Sequence, residues 1–232
     1  MYGAPGATLT AAYNHHVLFK DRLFRVLRPF IHPFTDIKRE KEISRLCQKL
    51  LPEMVLDAKS IVLDLGANRG DFSRFALRKA GHVIAFEPNP VAFSYLHNRL
   101  KSFSKLTLVQ AAVSSKSGHF DFYLHGDTAA DPLGYSIRSS LKKKDSDYVL
   151  GDYSVLTLDF DGVLSALPYV SCLKVDIEGA ENDIWPSIVK NKEKISHLLM
   201  EIHDSVNQDL RQEVEKFILN NSLELAWTAK WK

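Results

Sequence analysis

The sequence predicts an α/β fold: a doubly wound, mostly parallel sheet with an antiparallel edge strand, a β-hairpin insertion and an N-terminal helical extension. Three observations carry this. Short apolar, β-branched runs alternate with helical patterns over residues 61–110 and again over 172–228. A glycine turn, Gly66 to Gly70 in IVLDLGANRGDF, joins the first strand to the first helix of that alternation. Between the two stretches, GHFDFYLH at 118–125 alternates at period two, the pattern of an antiparallel strand with one covered face.

The elements follow in order. Residues 1–16 are small and polar and read as a tail. Leu23, Val26, Leu27 and Phe30 recur at helical spacing within VLFKDRLFRVLRPF, and Pro29 and Pro33 end that helix. A second helix has Ile43, Leu46, Leu50 and Val55 on its inner face, with Pro52 dividing it. These residues form an extension, 1–58, ahead of the sheet domain, 59–232. Ile61–Leu65, His82–Phe86 and Leu106–Gln110 suit strands buried on both faces. Helices at Phe72–Ala80, with Gly81 as its cap, and at Pro90–Leu100 separate them. Residues 126–150 form a polar insertion, followed by a strand at Val155–Leu158. The alternation resumes with strands at Cys172–Ile177, His197–Ile202 and Leu223–Thr228. Helices run from Ala180 and over Gln208–Leu219.

Composition narrows the function classes. A formal net charge of +2 over 232 residues is too small to argue for nucleic acid. Cys47 and Cys172 lack metal-ligand spacing and read as buried free thiols in a reducing compartment. The N-terminus lacks a signal-peptide pattern, and no apolar run approaches the roughly 20 residues needed to span a bilayer. The default location is cytoplasmic. The basic amphipathic segment 17–34 reads as a helix that packs on the sheet domain or joins two copies, in preference to a membrane contact.

The glycine turn is built for a ligand. Glycine lets the backbone approach closely, and the following helix presents unpaired N–H groups. Dinucleotides and S-adenosylmethionine are the two ligand classes that use this architecture. The dinucleotide pattern G-x-G-x-x-G needs a middle glycine, whereas Gly66-Ala67-Asn68-Arg69-Gly70 has Asn68 and Arg69 where a diphosphate would pass. S-adenosylmethionine carries no phosphate. Asp64 supplies negative charge for its ammonium group, and the amides of the turn receive its carboxylate. Glu87, about 20 residues on, lies where an acid accepts hydrogen bonds from a ribose diol. That acid suits either ligand.

IVLDLGANRGDFS, VIAFEPNP, AAVSSKSGHFDF and CLKVDIEGAE, in this order, resemble the FkbM-type family of S-adenosylmethionine-dependent methyltransferases over residues 60–204. The resemblance implies a class I methyltransferase, Rossmann-like fold. It also implies O-methylation, often of sugars, glycans or natural products. The cofactor set becomes Asp64, Gly66, Ala67, Asn68, Gly70, Glu87, Pro88, Ala111, Ala112 and Asp176. Small Ala111 and Ala112 pass beside the adenine.

Methyl transfer to a hydroxyl needs a base at the carboxyl end of a central strand. Asp176 is one candidate, with Lys174 and Glu178 on the same face by period two. Lys174 reads equally as an ion-pair partner of Asp176. His203, beside Glu201, is the second candidate. Asp176, Glu178, Glu201, His203 and Asp204 offer ligands for a divalent ion such as magnesium, although their spacing is not diagnostic, so a metal-free site is preferred. Tyr135, Arg138 and Ser139 in the insertion are candidate contacts for a small-molecule or glycan acceptor. Two competing functions stand beside methyl transfer: a nicotinamide-dependent oxidoreductase and a non-catalytic nucleoside-binding scaffold.

Overall fold

The computed structural model describes residues 36–50, 54–125, 139–142, 148–203, 209–220 and 224–226. The basic segment 17–34 and the residues Pro52, Tyr135, Arg138 and Asp204 lie outside them. The elements are α1 (Asp36–Leu50), β1 (Ile61–Leu65), α2 (Asp71–Leu77), β2 (His82–Phe86), α3 (Pro90–Leu100), β3 (Leu106–Val109) and β4 (Ala112–Ser114). They continue with β5 (Gly118–His125), β6 (Tyr148–Asp159), α4 (Phe160–Ser165), β7 (Cys172–Val175), α5 (Glu181–Lys190), β8 (His197–Met200), α6 (Leu210–Asn220) and β9 (Glu224–Ala226).

The main sheet runs β3-β2-β1-β7-β8-β9. From β1 the chain works outward to β3, then returns to the other side of β1 with β7. Ligands of open α/β sheets bind at such a reversal, beyond the carboxyl ends of the strands. β1 pairs with β7 in the register Asp64↔Lys174, so these two charged residues are direct cross-strand neighbours. Val62 of β1 joins one core cluster, with Phe72, Phe75, Leu96 and Leu100. Leu63 and Leu65 join the other, with Phe160, Ile184, Trp185 and Met200. Strand alternation thus feeds two layers, and both faces of β1 are covered.

The antiparallel strand is present but sits elsewhere. β5 pairs antiparallel with β6 at the edge of a second sheet of three strands, β4-β6-β5. Every described pair of the six-stranded sheet is parallel, including β8 with β9. A helix, α6, joins those two strands, and a helical crossover returns the chain in the same direction.

Other boundaries also move. β6 begins at Tyr148, so residues 148–150 of the expected insertion are strand. Ala112–Ser114, just after β3, is a strand paired with β6. The short helix α4 was not expected; Asp159 caps it, accepting from the amides of Asp161 and Gly162. Val55 is 78% exposed and does not line the inner face of α1, whose contacts with the core come from Cys47 and Ile43. The helix ends at Leu50, so the helical spacing no longer applies to Val55. Cys47 and Cys172 are buried free thiols, and burial pushes Cys47 up to about 12. Among the described residues, no helix is long and apolar enough to cross a membrane.

Candidate active site

The glycine turn closes on itself and on its neighbours. The amides of Gly66 and Ala67 both donate to the carbonyl of Phe86, at 3.0 and 2.9 Å, and Gly70 N donates to Ala67 O at 2.8 Å. Gly66 (φ 72), Asn68 (φ 51) and Gly70 (φ 79) take left-handed backbone. Gly66 is required by proximity as well: a Cβ there would lie 1.8 Å from the carbonyl oxygen of Asp176.

Glu87 fastens the turn to β2. Its Oε2 accepts from Asn68 N and its Oε1 from Asn89 N, each at 2.8 Å. Asn89 in turn caps α3, accepting from Val91 N at 2.9 Å and Ala92 N at 3.3 Å, with Pro90 at the first helical position. The E-P-N-P segment is therefore one connected device, with Pro88 between its two polar anchors. Burial pushes the Glu87 carboxyl up to about 7, against its two backbone hydrogen bonds and Lys174. A folded value above the ordinary 4.5 means the folded chain holds a proton that the unfolded chain releases. The contribution of Glu87 to stability therefore falls as pH rises from 4.5 through about 7.

Asp64 stands in β1, just before the turn, and is enclosed by its neighbours. It is 0% exposed, with Oδ2 accepting from Ser73 Oγ at 2.6 Å and Oδ1 3.3 Å from Lys174 Nζ. The amides of Gly66, Ala67, Asn68 and Gly70 are likewise engaged within the protein. Lys174 Nζ donates to Gly66 O at 2.6 Å and Leu65 O at 3.2 Å, and lies 3.6 Å from Asp176 Oδ2. Burial opposes its charge, but Asp64 and Asp176 outweigh burial and hold the ammonium above its usual range. It is a charged tie between strand ends, unsuited to taking a proton.

Asp176 follows β7 and, at 36% side-chain exposure, is more open than Lys174 or Glu178. Its recessed position pushes its carboxyl upward, Lys174 opposes that, and Glu178 adds to it. Glu178 has left-handed backbone (φ 56), and its carbonyl accepts from Ser140 Oγ at 2.6 Å. Its Oε2 lies 3.1 Å from His203 Nε2, and Glu201 Oε1 lies 3.7 Å from the same nitrogen. His203 Nδ1 is 2.8 Å from Oε1 of Glu181, which is fully buried. Burial disfavours a charged imidazole here, but Glu178 and Glu181 prevail and hold His203 well above its usual value.

Ser139 is buried, with Asn89 Nδ2 donating to its Oγ at 3.4 Å. Ala111 and Ala112 are buried too, and Ala112 packs with Phe122 and Val155. Three contributors went unread in the sequence. Ser73 holds Asp64, Ser140 holds Glu178, and Glu181 holds both His203 and the amide of Gly179, the latter at 2.9 Å. Only Glu181 had a signal: it stands three residues after Glu178 in EGAE, at the start of a helix.

A family model described as the methyltransferase FkbM domain matches residues 64–220, more than half of the chain. The chain belongs to the FkbM methyltransferase family. This FkbM-family chain is 26% identical over 175 residues to the hexuronic acid methyltransferase AglP of Haloferax volcanii, covering 74% of itself and 66% of that protein. It is 22% identical over 222 residues to methyltransferase 1 of Beauveria bassiana, covering 88% and 78% respectively. A crystal structure of the FkbM methyltransferase from Methylobacillus flagellatus aligns with 73% of this chain and 39% of that one, at 14% identity and a TM-score of 0.46. The fold is α/β with a parallel six-stranded central sheet.

Proposed function

We propose that this FkbM-family chain is an S-adenosylmethionine-dependent methyltransferase that methylates a hydroxyl of a sugar or glycan. The observation that carries the reading is Glu87. It directly follows β2 beside the sheet reversal, and each oxygen accepts one backbone N–H, which leaves each a lone pair for a ribose hydroxyl. Family membership supports the reaction class, and the resemblance to a hexuronic acid methyltransferase supports the acceptor class.

S-adenosylmethionine supplies an electrophilic methyl group on an excellent leaving group. The chain's part is to hold the nucleoside at Glu87, place the acceptor oxygen, and accept its proton. Asp176 is the open carboxylate beside the turn and takes that proton. Lys174 and Asp64 fix the strand ends on which both groups stand. Asp176→Asn is expected to keep cofactor affinity and lower methyl transfer about a hundredfold or more. A turnover unchanged in that variant removes Asp176 as the base.

Calorimetric titration with S-adenosylmethionine, its demethylated product and NADH tests the cofactor. The first two are expected to bind and NADH is not; the reverse order sinks the proposal. Ribose hydroxyls donate to an ionised carboxylate, so affinity is expected to fall as pH drops from about 8 to about 6, through the raised value of Glu87. Affinity that is flat across that range removes Glu87 from the ribose site.

A further inference from the structure

We infer that Asp176, Glu178 and His203 form a binding site for a divalent cation. One ligand atom from each lies within 4.8 Å of the other two. Two ligands about 2.2 Å from a shared ion stand roughly 3.1 Å apart when cis and roughly 4.4 Å apart when trans, so the three atoms lie near the span of one ion's ligand shell. The three side chains come from two different strand ends, β7 and β8, brought side by side by the sheet.

The imidazole is already aimed. Glu181 is fully buried, is fixed by the amide of Gly179, and holds His203 Nδ1 at 2.8 Å. That leaves Nε2 directed at Glu178 and Glu201. A buried carboxylate behind one ring nitrogen is the usual support of a metal-ligating histidine, because it fixes the tautomer and the ring plane. Charge agrees. Four carboxylates, those of Asp176, Glu178, Glu181 and Glu201, gather around one imidazole and the ammonium of Lys174. The donor set is oxygen-rich with one nitrogen and no thiolate, which suits Mn2+ or Mg2+ better than a soft ion.

The rival arrangement is a protonated His203 that closes the cluster without a metal. The position also bears on the acceptor, and this consequence alone rests on the methyltransferase reading. A cation beside Asp176 favours acceptors with two adjacent oxygens, a vicinal diol or a hydroxy acid, and makes a bound hydroxyl more acidic. A carboxylate has two oxygens, so ligation by one leaves the other able to accept a proton.

Mn2+ alone is the probe, added to the full chain without cofactor. Electron paramagnetic resonance of free Mn2+ is expected to reveal one bound ion per chain. Pulsed measurement on that sample is expected to show nitrogen coupling from one imidazole. Glu178→Gln is expected to weaken binding by more than about tenfold, while Asp161→Asn, a carboxylate on α4, leaves it unchanged. Absence of a bound ion, absence of nitrogen coupling, or equal binding by the wild type and Glu178→Gln overturns the site. The nitrogen signal is read on unmodified protein, so a variant that fails to fold does not blur the answer. S-adenosylmethionine titrated into the same sample reports separately on the methyltransferase reading.

Discussion

Gly66→Ala is expected to destabilise the chain by more than about 4 kcal/mol, enough to leave little folded protein. The added methyl would lie 1.8 Å from the Asp176 carbonyl oxygen and 2.9 Å from its carbon. Neither atom can swing aside, because Asp176 N donates to Leu65 O at 3.1 Å and holds β7 against β1. The left-handed backbone at φ 72 adds about 1 kcal/mol for any residue with a Cβ. Gly70→Ala is the control. Its methyl would meet the ends of Leu96 and Leu100, at 2.4 and 2.8 Å, and side-chain ends can repack for roughly 1–3 kcal/mol. Urea unfolding of both variants decides the matter. A Gly66→Ala midpoint at or above that of Gly70→Ala would show that β7 yields and that the contact is not rigid.

Lys174→Met is expected to cost about 3–5 kcal/mol, because it leaves Asp64 charged, fully buried and without its cation. It also removes the donor to the carbonyls of Leu65 and Gly66. Adding Asp64→Asn should recover part of the loss. The amide keeps the contact with Ser73 but needs no counter-charge. The double variant is therefore expected to be more stable than Lys174→Met alone, by at least about 1 kcal/mol. If the two losses simply add, the pair carries no coupling and the lysine acts only through the backbone carbonyls.

The architecture was legible because its signals are local. β1 is an apolar run interrupted only by Asp64, Asn89-Pro90 announces a helix start, and Gly66 and Gly70 mark a turn that needs left-handed backbone. The candidate site was legible in its members more than in its contacts. Asp64, Glu87, Asp176 and His203 were each picked out by strand-end position. Period two cannot say that Asp64 faces Ser73, nine residues later, or that each oxygen of Glu87 accepts one backbone amide. Those facts follow from how α2 and the turn fold back over the sheet. Glu181 was overlooked because an acid in the first turn of a helix already has an ordinary purpose, complementing the helix dipole. The antiparallel strand read from GHFDFYLH is present, at the edge of the three-stranded sheet. Alternation in GHFDFYLH reports one covered face but not which sheet supplies the partner.

Ser140 is fixed from two directions. Its backbone exchanges hydrogen bonds with Tyr123 at 2.8 and 2.9 Å, and its hydroxyl reaches Glu178 O. Just before it, Ser139 meets Asn89. The end of β5 and Ser140 are thus two anchored points, on either side of residues 126–138 in the sequence. A stretch exchanged between them would leave both anchors in place. Grafting the corresponding stretch from another family member would change what is presented between two fixed posts, without altering the posts. Such chimaeras offer a direct route to learning how relatives on one scaffold diverge in the molecules they modify.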